Sequence, residues 1–162
     1  MKTIVIRECS DLEVNSIYEM DLRNFNPKDC KGCWNCWIKT PGKCVHKDLN
    51  DFYRFYLEAD KVIIFSEVKN GFISGKIKTL LDRLIPHFLP YMDVSGDGFN
   101  HQPRYDKYPD IEFYYQGDFH SEKGREILKD YIIRTFTQFR SKKVSFKKIK
   151  DYRGEKYENT NY

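Results

Sequence analysis

The stretch Lys61–Val68, KVIIFSEV, is the most strongly strand-like part of the 162-residue chain. An unbroken apolar run of this length predicts a central strand of a parallel sheet, covered on both faces. A helix is predicted on each side of it in sequence. The first begins after Asp48, a candidate N-cap, and extends to Ala59; the second is capped by Ser74 and ends near Pro86.

Four further strands and one long helix complete the predicted order of elements. The strands are Lys2–Glu8, Ser16–Leu22, Asp110–Gln116 and Lys143–Ile149, of which the last alternates and suits a sheet edge. The longest helix is Ser121–Arg140, with a predicted buried face of Ile127, Leu128, Tyr131, Ile132, Phe136 and Phe139. Strands that alternate with helices predict an α/β domain around a mostly parallel sheet.

Three connections between these elements are informative. Asp29–Lys47 is a cysteine-containing loop, and Pro90–Pro109, rich in Gly, Asp, Asn and Pro, is predicted to be a long loop. Only about eight residues, Arg7–Val14, separate the first two strands. A parallel crossover usually needs a dozen or more residues and commonly a helix, so the first helix of the fold is predicted to be missing.

The excess positive charge of the chain lies at its C-terminal end. The net charge is +4; from Ser141 to Tyr162 seven Lys or Arg stand against three Asp or Glu, and residues 1–140 balance at 21 against 21. The body therefore lacks the basic composition of a nucleic-acid-binding domain. We interpret residues 1–150 as one domain and residues 151–162 as a basic, solvated tail.

Targeting signals are not evident in the sequence. No apolar run approaches the roughly 18–20 residues of a transmembrane helix, and the first eight residues, MKTIVIRE, are too charged for a signal peptide. A cytoplasmic protein is expected.

Four cysteines follow the spacing C-x2-C-x2-C-x7-C, at Cys30, Cys33, Cys36 and Cys44. In a cytoplasmic chain such thiols are reduced or metal-bound rather than disulfide-linked. Two-residue gaps let three thiolates converge on one centre, and the longer gap brings a fourth from across the loop. An iron–sulfur cluster, a four-cysteine zinc site and a metal-free packed loop are all open interpretations. Cys9 lies outside the spacing and is interpreted as a small buried hydrophobe.

Several motifs occur together in one order: CKGCWNCWIKTPGKC at residues 30–44, ADKVIIFS at 59–66, SGKIKTLLDR at 74–83 and HQPRYDKYP at 101–109. In combination they resemble the flavodoxin-like NAD(P)H-dependent FMN reductases, especially their iron–sulfur flavoprotein branch. The resemblance implies a three-layer α/β sandwich with a five-stranded, mostly parallel sheet in the order 2-1-3-4-5. It also implies FMN at the carboxyl ends of the strands.

The resemblance further implies which residues would meet the cofactors. The backbone after the third strand would line the flavin ring over Ser66, Glu67, Val68, Lys69, Asn70, Gly71 and Phe72, and the four motif cysteines would hold any cluster. This segment lacks the Ser-Pro-x-Tyr common in the family, and the missing helix removes the usual seat of the flavin phosphate. Losing three charge-assisted bonds at roughly 1.5 kcal/mol each would cost about 4.5 kcal/mol, or about three decades of affinity.

Two functions are consistent with these features. The first is an NAD(P)H-dependent FMN reductase or electron-transfer flavoprotein with a small-molecule or protein electron acceptor, in which the flavin supplies the chemistry. The second is a non-catalytic flavodoxin-fold protein that has lost FMN and serves assembly or partner binding. A homodimer is expected, because a missing helix would leave one apolar sheet face uncovered. No nucleic-acid or membrane partner is expected.

Two residue pairs have a structural and a functional interpretation. Asp82–Arg83, at a helix end, is expected to make a structural ion pair rather than a substrate contact. Arg104 and Tyr105 are expected to hold the long loop down rather than reach a ligand cleft. The two tryptophans of the cysteine loop would shield a cluster from solvent.

Overall fold

The computed structural model describes residues 1–95 and 98–154. The elements in these residues, in chain order, are β1 (Thr3–Arg7), β2 (Tyr18–Asp21), α1 (Asn35–Ile38), α2 (Asn50–Glu58), β3 (Lys61–Lys69), β4 (Phe72–Ile73), α3 (Gly75–Asp82), β5 (Phe88–Ser95), β6 (Gly98–Pro103), β7 (Asp110–Gln116), α4 (Glu122–Gln138) and β8 (Val144–Lys148). Two single 3-10 turns lie at Ile85–His87 and Ile149–Asp151.

Five of the strands form a parallel sheet in the order β2-β1-β3-β7-β8. The central strand, β3, pairs with β1 through Ile4 and Val62 and with β7 through Ile64 and Phe113. The short β4 adds an antiparallel hairpin to the end of β3. This is the order 2-1-3-4-5 of a flavodoxin-like fold, so the predicted α/β class and strand order are confirmed.

One face of this sheet is covered by α2, α3 and α4. Strand alternation places Ile6, Val62, Ile64 and Phe113 on this face, where they join the main hydrophobic core. The helices supply its other buried members, among them Phe52, Tyr56, Ile77, Leu80, Leu81, Leu128, Ile132 and Phe136. The predicted buried face of the last helix is wrong at Ile127, which is 59% exposed because it lies off the stripe that Leu128, Ile132 and Phe136 form.

The opposite face carries a smaller cluster of Val5, Ile63, Phe65 and Tyr114. No α-helix of the described residues contributes to this cluster, and the side chains packed against it are Cys9, Val14, Ile149 and Tyr152. The third layer of the sandwich is therefore irregular chain rather than helix. The homodimer was expected because this face would otherwise be uncovered. Since the protein's own segments cover it, that reason no longer holds, and the homodimer stays an untested prediction.

The connection between β1 and β2 contains no helix, as predicted, over residues 8–17, all of which the structure describes. Arg7 organises it, forming a two-pronged ion pair with Glu19 (Nε–Oε1 2.5 Å, Nη2–Oε2 2.9 Å). Its remaining nitrogen donates to the carbonyl oxygens of Ser10 and Leu12. A buried guanidinium thus ties the short connection to the sheet where the fold usually has a helix.

The start of α2 differs from the prediction. Leu49, not Asp48, is the N-cap residue, and no side chain caps the helix. The carboxylate of Asp48 accepts hydrogen bonds from Arg83 instead, so a long-range ion pair takes the group that a cap would use. The Ser74 prediction is confirmed, because its Oγ accepts from the Ile77 N–H at 3.2 Å.

The prediction of a loop over Pro90–Pro109 is wrong for most of its length. Strands β5 and β6 form an antiparallel hairpin, with Val94 opposite Phe99. Arg140 anchors this hairpin through an ion pair to Asp93 at 2.8 Å. Apolar and polar residues alternate at positions 92–95, which is the pattern of a strand. The Gly, Asp, Asn and Pro residues around them led to the prediction of a loop instead.

The beginning of the predicted tail packs on the sheet. The ring of Tyr152 meets those of Phe65 and Tyr114 edge-on, with centroids 5.3 Å apart in each case. Packing therefore continues as far as Tyr152, and the part of the predicted tail from residue 155 onward lies outside the described residues.

Candidate functional site

The cysteine loop is closed at its base by a buried ion pair between Arg83 and Asp48. Arg83 Nη2 lies 2.8 Å from Asp48 Oδ1, and the arginine is only 1% exposed. Arg83 also donates to the carbonyl oxygens of Lys28 and, at 3.4 Å, of His46, and Asp48 Oδ2 accepts from the Lys28 N–H at 2.9 Å. Both ends of segment 28–46 are therefore fixed by one pair of side chains.

The charges of this pair stabilise each other. Burial raises the pKa of Asp48, but hydrogen bonds from Arg83 and the Lys28 N–H outweigh burial, so the net pKa lies below its usual value. Burial lowers the pKa of Arg83, but the hydrogen bond to Asp48 raises it by more. The net pKa of Arg83 therefore lies above its usual value. Asp82 pairs separately with Lys78. Asp82 and Arg83 thus each make an ion pair, as expected, with partners that the sequence did not identify.

Backbone geometry turns the cysteine loop back on itself. Gly32 has φ +61° and Gly42 has φ +79°, so both use the left-handed region that glycine enters without strain. Trp34 has φ +59° at the start of α1, which is uncommon for a bulky residue. The predicted loop Asp29–Lys47 thus contains one short helix, too short to produce a periodic sequence pattern.

The cysteine loop rests on the segment that follows the hairpin. A Cβ at Gly42 would lie 3.2 Å from Tyr105 Oη, so a larger residue would meet this contact. Arg104 Nη2 and Trp37 Nε1 both donate to the Phe88 carbonyl, at 3.2 and 2.9 Å. Arg104 and Tyr105 therefore hold these segments together, as expected.

Between the cysteine loop and the end of α3 lies a cavity of about 350 Å³. All four motif cysteines line it, together with Lys31, Gly32, Trp34, Trp37, Val45, His46, Asp82, Arg83, Ile85 and Pro86. The structure thus brings the predicted ligands into one space.

The thiols in this cavity influence one another electrostatically. Burial raises the pKa of Cys36 above its usual value, and negative charge on Cys44, Cys30 and Cys33 raises it further. Cys9 is placed apart, against the opposite sheet face, where burial and the nearby Glu8 raise its pKa to about 11. The fifth cysteine is therefore a half-buried packing residue, separate from the four motif thiols.

The cavity is large for a single ion. A water molecule occupies about 30 Å³ of liquid, so a cavity of about 350 Å³ has room for a group of several atoms. Within residues 1–95 and 98–154, no three Cys, His, Asp or Glu side chains are placed to hold one metal ion. Four thiols that line one space are the donor set that an iron–sulfur cluster takes.

The residues predicted to meet a flavin form a β-hairpin. Ser66, Glu67, Val68 and Lys69 belong to β3, Asn70 and Gly71 make the turn with positive φ, and Phe72 begins β4. Ser66 and Val68 are buried, and Lys69 and Phe72 are exposed.

Glu8 places its carboxylate at the carboxyl ends of β1 and β3. It accepts hydrogen bonds from Ser66 Oγ at 3.0 Å, from the Glu67 N–H at 3.1 Å and from Ser74 Oγ. The Glu67 N–H, which was predicted to face the flavin, therefore donates to Glu8 instead. Sequence reasoning missed Glu8, because its contacts depend on how β3 and α3 come together in space.

A cleft of about 520 Å³ adjoins Glu8. Its charged side chains have both signs and comprise Glu8, Arg23, Asp29, Glu67, Lys69 and Lys76. The N-cap Ser74 and the first residue of α3, Gly75, also line it, and Glu8 reaches this helix N-terminus through Ser74. A flavin phosphate approaching here would meet a carboxylate already in contact with the helix N-terminus.

The fold and the cysteine-lined cavity define a flavodoxin-like α/β protein with a candidate cluster site. The sequence is 32% identical over 77 residues to an iron–sulfur flavoprotein of Archaeoglobus fulgidus, a match that covers 45% of this chain and 34% of that protein. An iron–sulfur flavoprotein of Methanocaldococcus jannaschii is 42% identical over 55 residues, covering 33% of this chain and 27% of that protein. The matches thus span about a third of these curated relatives or less. No protein-family profile matches the sequence.

Solved structures agree with the fold. The azoreductase of Bacillus anthracis superposes with a TM-score of 0.57 over 90% of this chain and 85% of its own, at 14% identity. The azoreductase AzrA gives 0.56 over 90% and 87%, at 13% identity. The resemblance to flavodoxin-like reductases and iron–sulfur flavoproteins predicted from the motifs is confirmed.

None of the helices in the described residues is long and apolar enough to span a bilayer.

One buried histidine lies just beyond the cavity wall. His87 is 0% exposed, with its ring 5.0 Å from that of Tyr53 and 5.3 Å from that of Tyr56 between centroids. Neither ring nitrogen has a hydrogen-bond partner in the described residues. Burial, and then the positive charge of Arg104, lowers the pKa of His87 to about 3.

This low pKa predicts an acid-dependent loss of stability. Between pH 6.5 and 3 the unfolded chain takes up a proton on His87 that the folded chain does not, so stability falls as the pH falls below 6.5. From pH 7 to pH 5 the contribution is about 2 kcal/mol. Urea unfolding at both pH values should show a smaller acid-induced loss for His87→Phe than for the wild type.

The exposed His120 supplies the matched control, because His120→Phe makes the same substitution at a histidine outside the core. Equal losses between pH 7 and pH 5 in wild type and His87→Phe would contradict the assignment of a neutral buried imidazole.

Proposed function

We propose that this protein is a flavodoxin-like redox protein in which Cys30, Cys33, Cys36 and Cys44 hold an iron–sulfur cluster. The observation that carries the proposal is the arrangement of all four motif thiols around one cavity of about 350 Å³. Both curated relatives that match the sequence are called iron–sulfur flavoproteins, which supports the same function. Such a cluster would accept and release single electrons.

The chain's own residues give the cavity properties suited to electron transfer. Trp34 and Trp37 line it with ring centroids 5.0 Å apart, but Trp34 is 59% exposed, so the expectation that both tryptophans shield the site from solvent is wrong for Trp34. Cys30 and Cys33 are exposed, so a cluster held there would lie close to the surface and within reach of an electron donor or acceptor.

A flavin is the proposed redox partner of this centre. Support comes from the relatives' names and from the fold, which binds flavins at the carboxyl ends of its strands. Because Glu8 holds the Glu67 N–H and no helix follows β1, we propose weak, exchangeable FMN binding, as for a substrate rather than a resident cofactor. NADH or NADPH is the proposed source of electrons, and a small molecule or a protein the proposed acceptor.

Metal analysis of protein made without oxygen tests the cluster. The wild type should be brown and contain iron and sulfide in similar amounts, and Cys33→Ala should lose both because one of four ligands is gone. Zinc instead of iron, or neither metal in folded wild type, would contradict the cluster.

Cys9→Ala is the matched control for this experiment. Cys9 lies against the opposite sheet face, away from the cavity, so this variant should keep the iron and sulfide of the wild type. Equal iron loss in the two variants would indicate a general effect of cysteine removal and contradict the assigned ligand set.

Titration with FMN, followed by quenching of its fluorescence, tests the flavin proposal. Glu8→Ala should bind FMN about fivefold more tightly than the wild type, because it frees the Glu67 N–H for a hydrogen bond worth about 1 kcal/mol. Glu13→Ala removes an exposed carboxylate of the same connection and leaves the Glu8 contacts intact, so it should bind like the wild type. No quenching by any of the three proteins, or equal affinities of Glu8→Ala and Glu13→Ala, would contradict the proposal.

A further inference from the structure

Two buried nitrogen atoms on the wall of the cysteine cavity have no hydrogen-bond partner in the described residues. They are Nε of Arg83 and Nε2 of His46, and both residues line the cavity. Buried polar atoms in folded proteins are nearly always paired, so each of these needs an explanation. Two such atoms beside the same four thiols point to one missing acceptor.

The rest of the Arg83 side chain is fully engaged. Its two terminal nitrogens bind Asp48 and the carbonyl oxygens of Lys28 and His46. The guanidinium is therefore held by three fixed groups, and Nε has no freedom to turn toward a different partner. Since arginine keeps its proton at all ordinary pH values, Nε remains a donor.

The backbone of His46 is fixed by the same guanidinium. Its carbonyl oxygen accepts from Arg83 Nη2 at 3.4 Å, and the residue follows Cys44 by two positions. Cys44 in turn interacts electrostatically with Arg83. The nitrogen atoms of Arg83 and His46 therefore lie on the same side of the cavity as Cys44, the fourth cysteine of the motif.

We propose that Arg83 Nε–H and the His46 imidazole donate hydrogen bonds to the sulfur atoms of the cluster and thereby raise its reduction potential. This inference rests on the proposed function, because the acceptor is the cluster itself. Reduction adds negative charge to the sulfurs, and donors fixed in a buried wall stabilise the reduced state more than the oxidised state.

The test is an optical redox titration of anaerobically prepared protein and its variants. His46→Ala removes a donor, His46→Gln replaces it with an amide donor, and His120→Ala alters an exposed histidine that does not line the cavity. At a fixed solution potential, His46→Ala should hold about tenfold less reduced relative to oxidised cluster, which is a shift of about 59 mV for one electron. His46→Gln should recover part of this shift, and His120→Ala should match the wild type.

The outcomes separate the inference from the function on which it rests. A wild type without iron and sulfide contradicts the proposed function. Wild type and His46→Ala that both carry full clusters with equal reduction potentials overturn the inference and leave the cluster in place. If His46→Ala assembles no cluster, His46→Phe decides in the same way, because phenylalanine keeps an aromatic ring at this position but has no nitrogen donor.

Discussion

The structure around the cysteine motif depends on one buried ion pair, between Arg83 at the end of α3 and Asp48 before α2. The pair also binds the backbone at Lys28 and His46, so three separate parts of the chain, at residues 28, 46–48 and 83, meet at one guanidinium. Breaking a buried pair by removing one partner typically costs about 3–5 kcal/mol, because the other charge is left unpaired. Segment 28–46 would then lose its fixed base, and the four thiols their common cavity.

The two candidate regions lie at opposite ends of α3, with the cysteine cavity beside Arg83 and the Glu8 cleft beside Ser74. On one side the cysteine loop closes around a space that its own cysteines, tryptophans and histidine line. On the other side Glu8 fills hydrogen bonds at the ends of β1 and β3, next to the cleft where the fold would take a flavin. The cysteine cavity therefore suits a tightly bound group. In the cleft beside Glu8, a ligand would have to compete with the Glu8 carboxylate for the Glu67 N–H.

The elements that could be predicted from sequence were those with strong local patterns. The apolar run of β3, the Ser74 cap and the short connection after Arg7 each follow from neighbouring residues, and the strand order followed from the resemblance. Asp48 was misassigned, because a carboxylate suited to an N-cap is equally suited to an arginine that only the fold brings near. The contacts of Glu8 and the anchoring of the β5–β6 hairpin by Arg140 also join residues far apart in sequence. They could not be predicted, because only the fold brings these residues together. The cysteine spacing identified the ligands, but not the wall of Arg83 and His46 behind them.

The central claim is that the four motif thiols surround an iron–sulfur cluster in the cavity closed by Arg83 and Asp48. A crystal structure of anaerobically purified protein, with diffraction data collected on both sides of the iron absorption edge, tests it most directly. The account predicts one strong anomalous peak between the sulfur atoms of Cys30, Cys33, Cys36 and Cys44. An ordered cysteine loop with four free thiols and no iron peak, or iron bound elsewhere on the protein, would contradict it.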